Sequence, residues 1–187
     1  VSTLVITADD NVIDRIVTRS DGKRLTMRID ARSITDCTVR AVIPASAALR
    51  TLEAESMGTI RCEVPLGNGP VTVRSSEGSR IAADIRTGDD IRVHVSGCSR
   101  FEGALKGNNC KITVTEGSVF DAPLTCKVHG EILLDASGRF AGDTSAGNSL
   151  HIKAANGSVM QGNADADVVL VHATASSHYN GSISAAG

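Results

Sequence analysis

The chain has 187 residues and a formal net charge of −2, and its aromatic residues are one Tyr, three Phe and no Trp. A near-neutral charge argues against a dedicated nucleic-acid binder, whose domain is normally basic, and so few rings leave little for stacking on bases or sugars. Because 41% of the residues are hydrophobic and 21% are charged, the chain is not disordered and can bury an aliphatic core.

Two strands and two turns are predicted near the start of the chain. Residues 4–7 and 25–29 are predicted strands, while Asp9-Asp10-Asn11 and Asp21-Gly22 mark turns. Residues 1–30 are therefore predicted to form an N-terminal β lead-in or cap, packed on a repeat domain of residues 31–187. No apolar run approaches the roughly 20 residues needed to span a bilayer, so no transmembrane segment is expected in this chain.

A repeat of about 20 residues follows, centred on one large apolar residue. In the second half of the chain these residues occur at 101, 120, 140, 160 and 179, in steps of 19 or 20. Small residues stand two positions before and after most of them, and the positions between are mostly polar. The complete column of central residues is Val39, Ile60, Ile81, Phe101, Phe120, Phe140, Met160 and Tyr179.

Alternation of apolar and polar positions within each repeat is typical of β-strands with one buried face. A repeat of this length, with three short strands, predicts one coil of a β-solenoid, and about eight such coils would stack at roughly 4.8 Å. Gly residues and Asn-Gly steps are expected at the corners. The predicted fold is all-β, a β-helix whose central residues form one continuous interior stack.

The last residues of the chain are Ser182-Ile183-Ser184-Ala185-Ala186-Gly187, a short and mostly small-residue segment. A solenoid end without a cover exposes strand edges that recruit other chains. We therefore expect this end to be a self-association surface, with a homo-oligomer formed through solenoid ends.

The five cysteines are Cys37, Cys62, Cys98, Cys110 and Cys126. Their odd number and the lack of a Cys-x-x-Cys motif indicate neither a disulfide framework nor a zinc site. We expect these thiols to be small buried apolar groups. No Gly-rich phosphate loop of a standard type occurs, so no cofactor is expected.

Charged side chains flank the central column in outward positions. Glu102 and Asp121 share one such position on adjacent coils, and Arg80, Arg100 and Arg139 stand on the other side of the column. One hypothesis is a carboxylate pair that grips or cleaves an acidic sugar, with repulsion raising the pKa of one carboxyl group. The other, which we favour, is a solvated face whose opposite charges offset each other at under about 1 kcal/mol per pair. The arginines themselves could bind a polyanion such as an acidic glycan or lipopolysaccharide.

Three histidines occupy outward positions of one predicted strand: His94, His151 and His172. They do not share a column on adjacent coils, so a metal site is not expected. Asp165 and Asp167 share a strand face and are expected at the surface. Ser99 lies in a small inward column and is expected to be structural rather than a nucleophile.

The order of these features resembles the head GIN domain family of auto-transporter adhesins, which are bacterial cell-envelope proteins. The likeness begins with Leu4-Val5-Ile6-Thr7-Ala8-Asp9-Asp10-Asn11-Val12-Ile13 and Asp21-Gly22-Lys23-Arg24-Leu25. It continues through Ile43-Pro44-Ala45 to Leu52 and includes corners such as Ser96-Gly97-Cys98-Ser99. The resemblance implies a single-stranded right-handed β-helix, exported by a leader that lies outside this sequence. The family offers no catalytic motif to carry over.

Three functional hypotheses follow. The favoured one is a non-enzymatic, extracytoplasmic surface module, an adhesin that presents β-helix faces to a glycan or a cell-surface protein and binds no nucleic acid. The second is a polysaccharide-active enzyme on the same fold that uses Glu102, Asp121 and Arg100. The third is a structural scaffold that self-associates through solenoid ends. A groove with shifted carboxyl pKa values would favour the enzyme, whereas a flat, charge-balanced face would favour the binding module.

Overall fold

A computed structural model of the protein describes residues 5–10, 12–20, 25–30, 39–42, 49–62, 65–67 and 69–186. These residues fall into two compact units, one ending at Leu49 and the other beginning at Arg50. The regular structure is almost entirely β, and the one helix in the described ranges is a short 3-10 turn, Ile13–Arg15. No helix in these ranges is long and apolar enough to cross a membrane.

The described strands of the first unit pair in antiparallel fashion. They are β1 (Val5–Ala8), β2 (Ile16–Ser20), β3 (Leu25–Ile29) and β4 (Val39–Val42). β2 pairs with β3, and β1 pairs with β4. The two strands predicted here are confirmed, the first with a shift of one residue. The division at residue 30 and the packing of the lead-in on the solenoid remain predictions, and Cys37 and the Asp21-Gly22 turn lie outside the described residues.

The second unit is built from short strands throughout. In chain order they are β5 (Thr51–Ala54), β6 (Thr59–Arg61), β7 (Val71–Ser75), β8 (Arg80–Ala82), β9 (Ile85–Arg86), β10 (Ile91–Val95), β11 (Arg100–Glu102), β12 (Leu105–Val114), β13 (Val119–Asp121), β14 (Leu124–Leu134), β15 (Arg139–Ala141), β16 (Thr144–Ala146), β17 (Ser149–Ala154), β18 (Val159–Gln161), β19 (Ala164–Ala166), β20 (Val168–Ala173), β21 (His178–Asn180) and β22 (Ile183–Ala185). A seven-stranded sheet, here called sheet I, contains β6, β8, β11, β13, β15, β18 and β21. The remaining eleven form sheet II.

Each repeat contributes strands to both parallel sheets, and the repeats stack as a β-solenoid of about seven turns. The central residues of sheet I lie directly opposite one another from turn to turn: Ile60, Ile81, Phe101, Phe120, Phe140, Met160 and Tyr179. The members from Ile81 to Met160 are fully buried, which confirms the predicted interior stack for them. The prediction is wrong for Val39, because that residue pairs antiparallel with Ala8 in the first unit.

The number of strands differs from turn to turn. One turn contains β15, β16 and β17 as separate strands, whereas β12 runs without interruption through two sides of another turn. The pairing of β12 with β14 shifts register between Gly107 and Asn109, and such a bulge lets a strand bend without ending. The predicted three short strands per coil therefore describe only part of the solenoid.

The corner that leads from sheet II to sheet I has the same backbone form in all seven turns. Its two central residues have positive φ, and we call these pairs the turn row: Ser56-Met57, Glu77-Gly78, Gly97-Cys98, Glu116-Gly117, Ala136-Ser137, Asn156-Gly157 and Ala175-Ser176. Backbone hydrogen bonds join neighbouring corners, as where Cys98 N–H donates to the Glu116 carbonyl at 2.9 Å. Two consecutive left-handed residues are typical of a type I′ turn, in which Gly or Asn is preferred.

Candidate functional site

The outer face of sheet I carries the predicted site residues. Their strands are β8, β11, β13 and β15, and each side chain points outward because it stands next to an inward central residue. Arg80 lies opposite Arg100, and Glu102 lies opposite Asp121. Arg139 lies opposite Val119, one turn beyond Asp121's strand. The structure therefore places these residues on one face, and their role in binding remains a prediction.

Ion pairs connect the charged side chains of this face, two of them diagonally between neighbouring strands and one within β11. The Arg80 guanidinium donates to both carboxylate oxygens of Glu102, each at 2.7 Å. Arg100 Nε donates to Glu102 Oε1 at 2.6 Å, and Arg100 Nη2 forms an ion pair with Asp121. Arg100 thus bridges the two carboxylates that the sequence places side by side.

Arg139 stands apart from this network. Its guanidinium donates to Gln161 Oε1 at 2.9 Å, which is a hydrogen bond to a neutral amide. The stacked arginines of sheet I are therefore occupied by partners on neighbouring turns. The strands of sheet I carry outward Arg61, Arg80, Arg100 and Arg139 against Glu102 and Asp121, so this face has more cations than carboxylates.

These ion pairs affect the protonation state of Glu102. The hydrogen bond from Arg80 lowers the pKa of Glu102, burial opposes this effect, and Arg100 lowers the pKa further. The same hydrogen bond raises the pKa of Arg80. Repulsion between stacked carboxylates predicted a raised pKa, and for Glu102 this is wrong because the bridging cations outweigh the neighbouring carboxylate. A carboxyl group held ionised cannot act as a general acid near neutral pH.

A shallow, open depression of about 300 Å³ lies beside Glu102. Its lining residues are Arg61, Cys62, Pro65, Ala82, Ala83, Asp84, Glu102 and Gly103. Asp121 and Arg100 do not line it, so the predicted carboxylate pair does not share one groove. Burial raises the pKa of the Cys62 thiol, which keeps this group protonated and a poor nucleophile.

The histidines are dispersed over sheet II as predicted. His94 and His172 belong to one column, where Thr113, Leu133 and Lys153 separate them, and His151 belongs to the next column. Within the ranges that the structure describes, no three His, Cys, Asp or Glu residues are grouped so as to hold a metal ion.

The remaining candidates have the structural surroundings that their positions predict. Asp165 and Asp167 are exposed. Ser99 is buried, and its Oγ accepts a hydrogen bond from Ser79 N–H at 3.1 Å, while its own N–H donates to Ser118 Oγ at 3.1 Å. A buried hydroxyl in such a ladder joins neighbouring turns and is not presented to a substrate.

The cysteines differ in exposure. Cys110 and Cys126 are buried, as predicted, and Cys62 is half-buried. The prediction is wrong for Cys98, which is exposed because it occupies the outer corner of the turn row with φ of 60°. A hydrogen bond with Cys110, together with burial, raises the pKa of the Cys126 thiol.

The outer face of sheet II carries a set of cations that the sequence-based search missed. Its long strands β7, β10, β12 and β17 present Arg74, Arg92, Lys111 and Lys153 outward, and each of these side chains is exposed. In the sequence, these cations are indicated by the strict alternation of apolar and polar residues in segments such as Ile91-Arg92-Val93-His94-Val95. The apolar residues of this segment are all buried, so the polar ones face outward.

The fold and the surface chemistry can be compared with known proteins. No significant match was found among curated proteins or among solved structures. A family model described as "Putative auto-transporter adhesin, head GIN domain" matches residues 1–128, which is more than half of the chain. The protein therefore belongs to the head GIN domain family of auto-transporter adhesins.

Proposed function

We propose that this protein is a non-enzymatic surface module, located outside the cytoplasm, that presents the outer faces of its solenoid to a glycan or protein partner. Membership in an adhesin family supports this role. The β-solenoid fold supports it as well, because stacked turns produce extended surfaces that suit binding to large partners.

One observation carries the proposal: polar side chains are exposed at regular intervals on sheets whose inward side chains are buried. In β10, Val93 and Val95 are buried, while Arg92 and His94 are exposed. Neighbouring strands lie about 4.8 Å apart, so equivalent outward side chains of successive turns form a flat lattice of polar groups. Such a lattice suits contact with an extended polymer or another protein surface more than enclosure of a small molecule.

The chemistry of sheet I supports binding over catalysis. A polysaccharide-active enzyme of the carboxylate type needs one protonated carboxyl group beside one ionised group. Glu102 accepts hydrogen bonds from both Arg80 and Arg100, and Asp121 is paired with Arg100. These contacts lower the pKa of Glu102 and hold both carboxyl groups in one ion-pair network, which is the arrangement expected of a structural or binding face.

A glycan array with the full chain tests this function, with Arg100→Glu alongside the wild type. We expect the wild type to bind a subset of glycans or, on a parallel array, cell-surface proteins, and to release no new reducing ends from bound polysaccharides. Release of reducing ends by the wild type but not by Glu102→Gln would favour the enzyme instead. Failure to bind any glycan or surface protein would contradict the proposed role.

Self-association is a second candidate function, favoured by apolar exposure in the last described turn. Val168, Leu170 and Ile183 are 55%, 52% and 51% exposed. Exposed apolar side chains in the last described turn are typical of association surfaces, and we take a second copy of the chain as the occupant. Light scattering should show a mass that rises with concentration in the wild type and not in Ile183→Glu. Met57→Glu, at a site that is 82% exposed and outside this turn, is the matched control.

A further inference from the structure

The outer face of sheet II has an excess of cationic side chains in a protein whose net charge is −2. We call the following residues the basic face: Arg74, Arg92, His94, Lys111, Lys153 and His172. All of them are exposed, and all lie within the second unit. The outward carboxylates on these long strands are Glu53 and Glu131.

Cations and imidazoles of the basic face stand next to one another on adjacent strands. Arg92 lies directly opposite Lys111, and Arg74 lies directly opposite His94. Neighbouring strands are about 4.8 Å apart, and like charges in such opposed positions destabilise a sheet. The opposed charges of Arg92 and Lys111 are therefore unfavourable for the isolated fold, although Glu131 offsets part of this effect at Lys111, and an anion lying between the two side chains would stabilise them.

Most of these cations have no counter-ion within the part of the chain that the structure describes. Lys111 pairs with Glu131 at 2.8 Å. No described side chain forms a hydrogen bond or ion pair with Arg92, His94 or Lys153. Sheet I differs in this respect, because its Arg80 and Arg100 are held by carboxylates. The side chains of Arg92, His94 and Lys153 are therefore available to a partner.

The aromatic residues restrict the chemistry of that partner. The three Phe side chains of the sequence, Phe101, Phe120 and Phe140, are fully buried. The one Tyr is also engaged, because the Tyr179 hydroxyl donates to the carbonyls of Gly162 and Ser182 at 3.1 and 3.0 Å. This surface therefore offers no aromatic ring on which nucleobases or neutral sugar rings could stack. Recognition must come from charge and hydrogen bonds.

We infer that the basic face binds an anionic polysaccharide, a linear chain with repeated carboxylate or sulfate groups. The inference rests on the proposed function and names the partner class and the face. The polymer would cross the strands of sheet II, so that its anionic groups meet Arg92 and Lys111 on adjacent strands and Lys153 two strands beyond Lys111, in the neighbouring column of outward residues. An anionic chain that spans several strands can contact these separated cations at the same time, and several weak contacts add to useful avidity.

Binding to polygalacturonate tests the inference, with uncharged dextran as the reference polymer. We expect the wild-type chain to bind polygalacturonate in low salt, to bind dextran at least about tenfold more weakly, and to lose affinity as ionic strength rises. Arg92→Glu/Lys153→Glu should lower the affinity for polygalacturonate by about tenfold or more. Lys106→Glu/Lys127→Glu makes the same change in net charge at exposed positions outside the basic face and should lower it by less than about threefold. Circular dichroism should confirm that each variant is folded.

Several outcomes would overturn the inference. Equal affinity for polygalacturonate and dextran, or equal losses in the two double variants, would contradict it. A larger loss of affinity for polygalacturonate in Arg61→Glu/Arg139→Glu would assign the binding site to sheet I instead. Tighter binding to single-stranded DNA or to anionic phospholipid vesicles would assign a different partner class. In each of these cases, binding to some partner on the array would leave the proposed function standing, whereas failure on every array would remove both.

Discussion

The ring of Phe120 stacks on the ring of Phe140 with centroids 4.8 Å apart and planes 12° from parallel. This distance is close to the spacing of neighbouring strands, because the two residues lie directly opposite each other in the parallel pairing of β13 and β15. Phe101 continues the stack at a centroid distance of 5.1 Å. The backbone register therefore fixes the geometry of the aromatic core.

Phe120→Ala should lower the free energy of unfolding by about 3–5 kcal/mol, because it opens a cavity between two rings in a fully buried column. Urea unfolding followed by circular dichroism measures the change. Phe120→Met is the matched control, since Met160 fills the equivalent position of the same column, and it should cost about 1–2 kcal/mol. A loss below about 1 kcal/mol in Phe120→Ala would contradict a packed interior stack.

Gly142→Ala should strongly destabilise the solenoid. Gly142 has φ of 150°, and a Cβ at this position would lie 2.2 Å from the backbone oxygen of Ala122. We expect a loss of about 2–4 kcal/mol in the free energy of unfolding, because the clash is with backbone of the neighbouring turn. Gly88→Ala is the control, since no atom lies within 4 Å of its added Cβ. Similar unfolding midpoints for the two variants would contradict the close approach of the turns.

Ser137→Gly should stabilise the protein. Ser137 has φ of 64° in the turn row, a region that costs a non-Gly residue about 1–2 kcal/mol. The gain is partly offset by the greater freedom of Gly in the unfolded chain. We therefore expect a net increase of about 0.5–1 kcal/mol in the free energy of unfolding, measured by thermal or urea unfolding. Ser145→Gly, within the extended strand β16, should instead lower stability. A decrease in both variants would show that the turn-row backbone is not left-handed.

Glu102→Gln should change how stability depends on pH. The folded pKa of Glu102 lies below its unfolded value, so its ion pairs contribute stability above a pH of about 4.3, and this contribution is lost as pH falls through the folded pKa. Since the side chain is 28% exposed, the contribution at pH 7 should be at most about 1 kcal/mol. Urea unfolding of the wild type and the variant should therefore differ at pH 7 and converge in acid. A difference between the two proteins that is the same at pH 7 and in acid would contradict this role of the Glu102 ion pairs.

Thiol labelling should separate the cysteines by exposure. Among the four cysteines that the structure describes, Cys98 should react fastest with a maleimide in the native protein, because it is exposed at the turn row. Cys110 and Cys126 should react only after unfolding, since both are buried and Cys126 has a raised pKa. Peptide mapping by mass spectrometry assigns each site, and Cys98→Ser should remove the fastest modification. Native-state labelling of Cys126 at the rate of Cys98 would be inconsistent with the fold.

The spacing of large residues predicted the solenoid and its interior column, because equal repeat lengths place equivalent residues in register. It failed at Val39, since an apolar residue flanked by polar ones suits an antiparallel pair as well as a parallel stack. The corners at Gly97, Gly117 and Gly157 followed from composition. The left-handed conformation of Ala136 did not, because hydrogen bonds between neighbouring corners override the preference of the single residue.

The sequence predicted which residues lie together at the candidate site, but it did not predict the ion pairs between them. Register places Glu102 beside Asp121, and from the sequence this suggests repulsion. The reach of Arg100 to both carboxylates depends on side-chain conformation, which residue spacing does not determine. The basic face was missed for a different reason: its cations lie on the long strands of sheet II, and their adjacency becomes visible only once the strand register is known.

Nuclear Overhauser spectroscopy on protein protonated only at Phe rings and Met methyl groups tests most directly whether the repeats stack turn upon turn beneath the proposed binding faces. We expect cross-peaks for Phe101–Phe120, Phe120–Phe140 and Phe140–Met160, which lie on neighbouring strands, and none for Phe101–Phe140. Absence of the three neighbouring contacts, or a strong contact between Phe101 and Phe140, would contradict the solenoid.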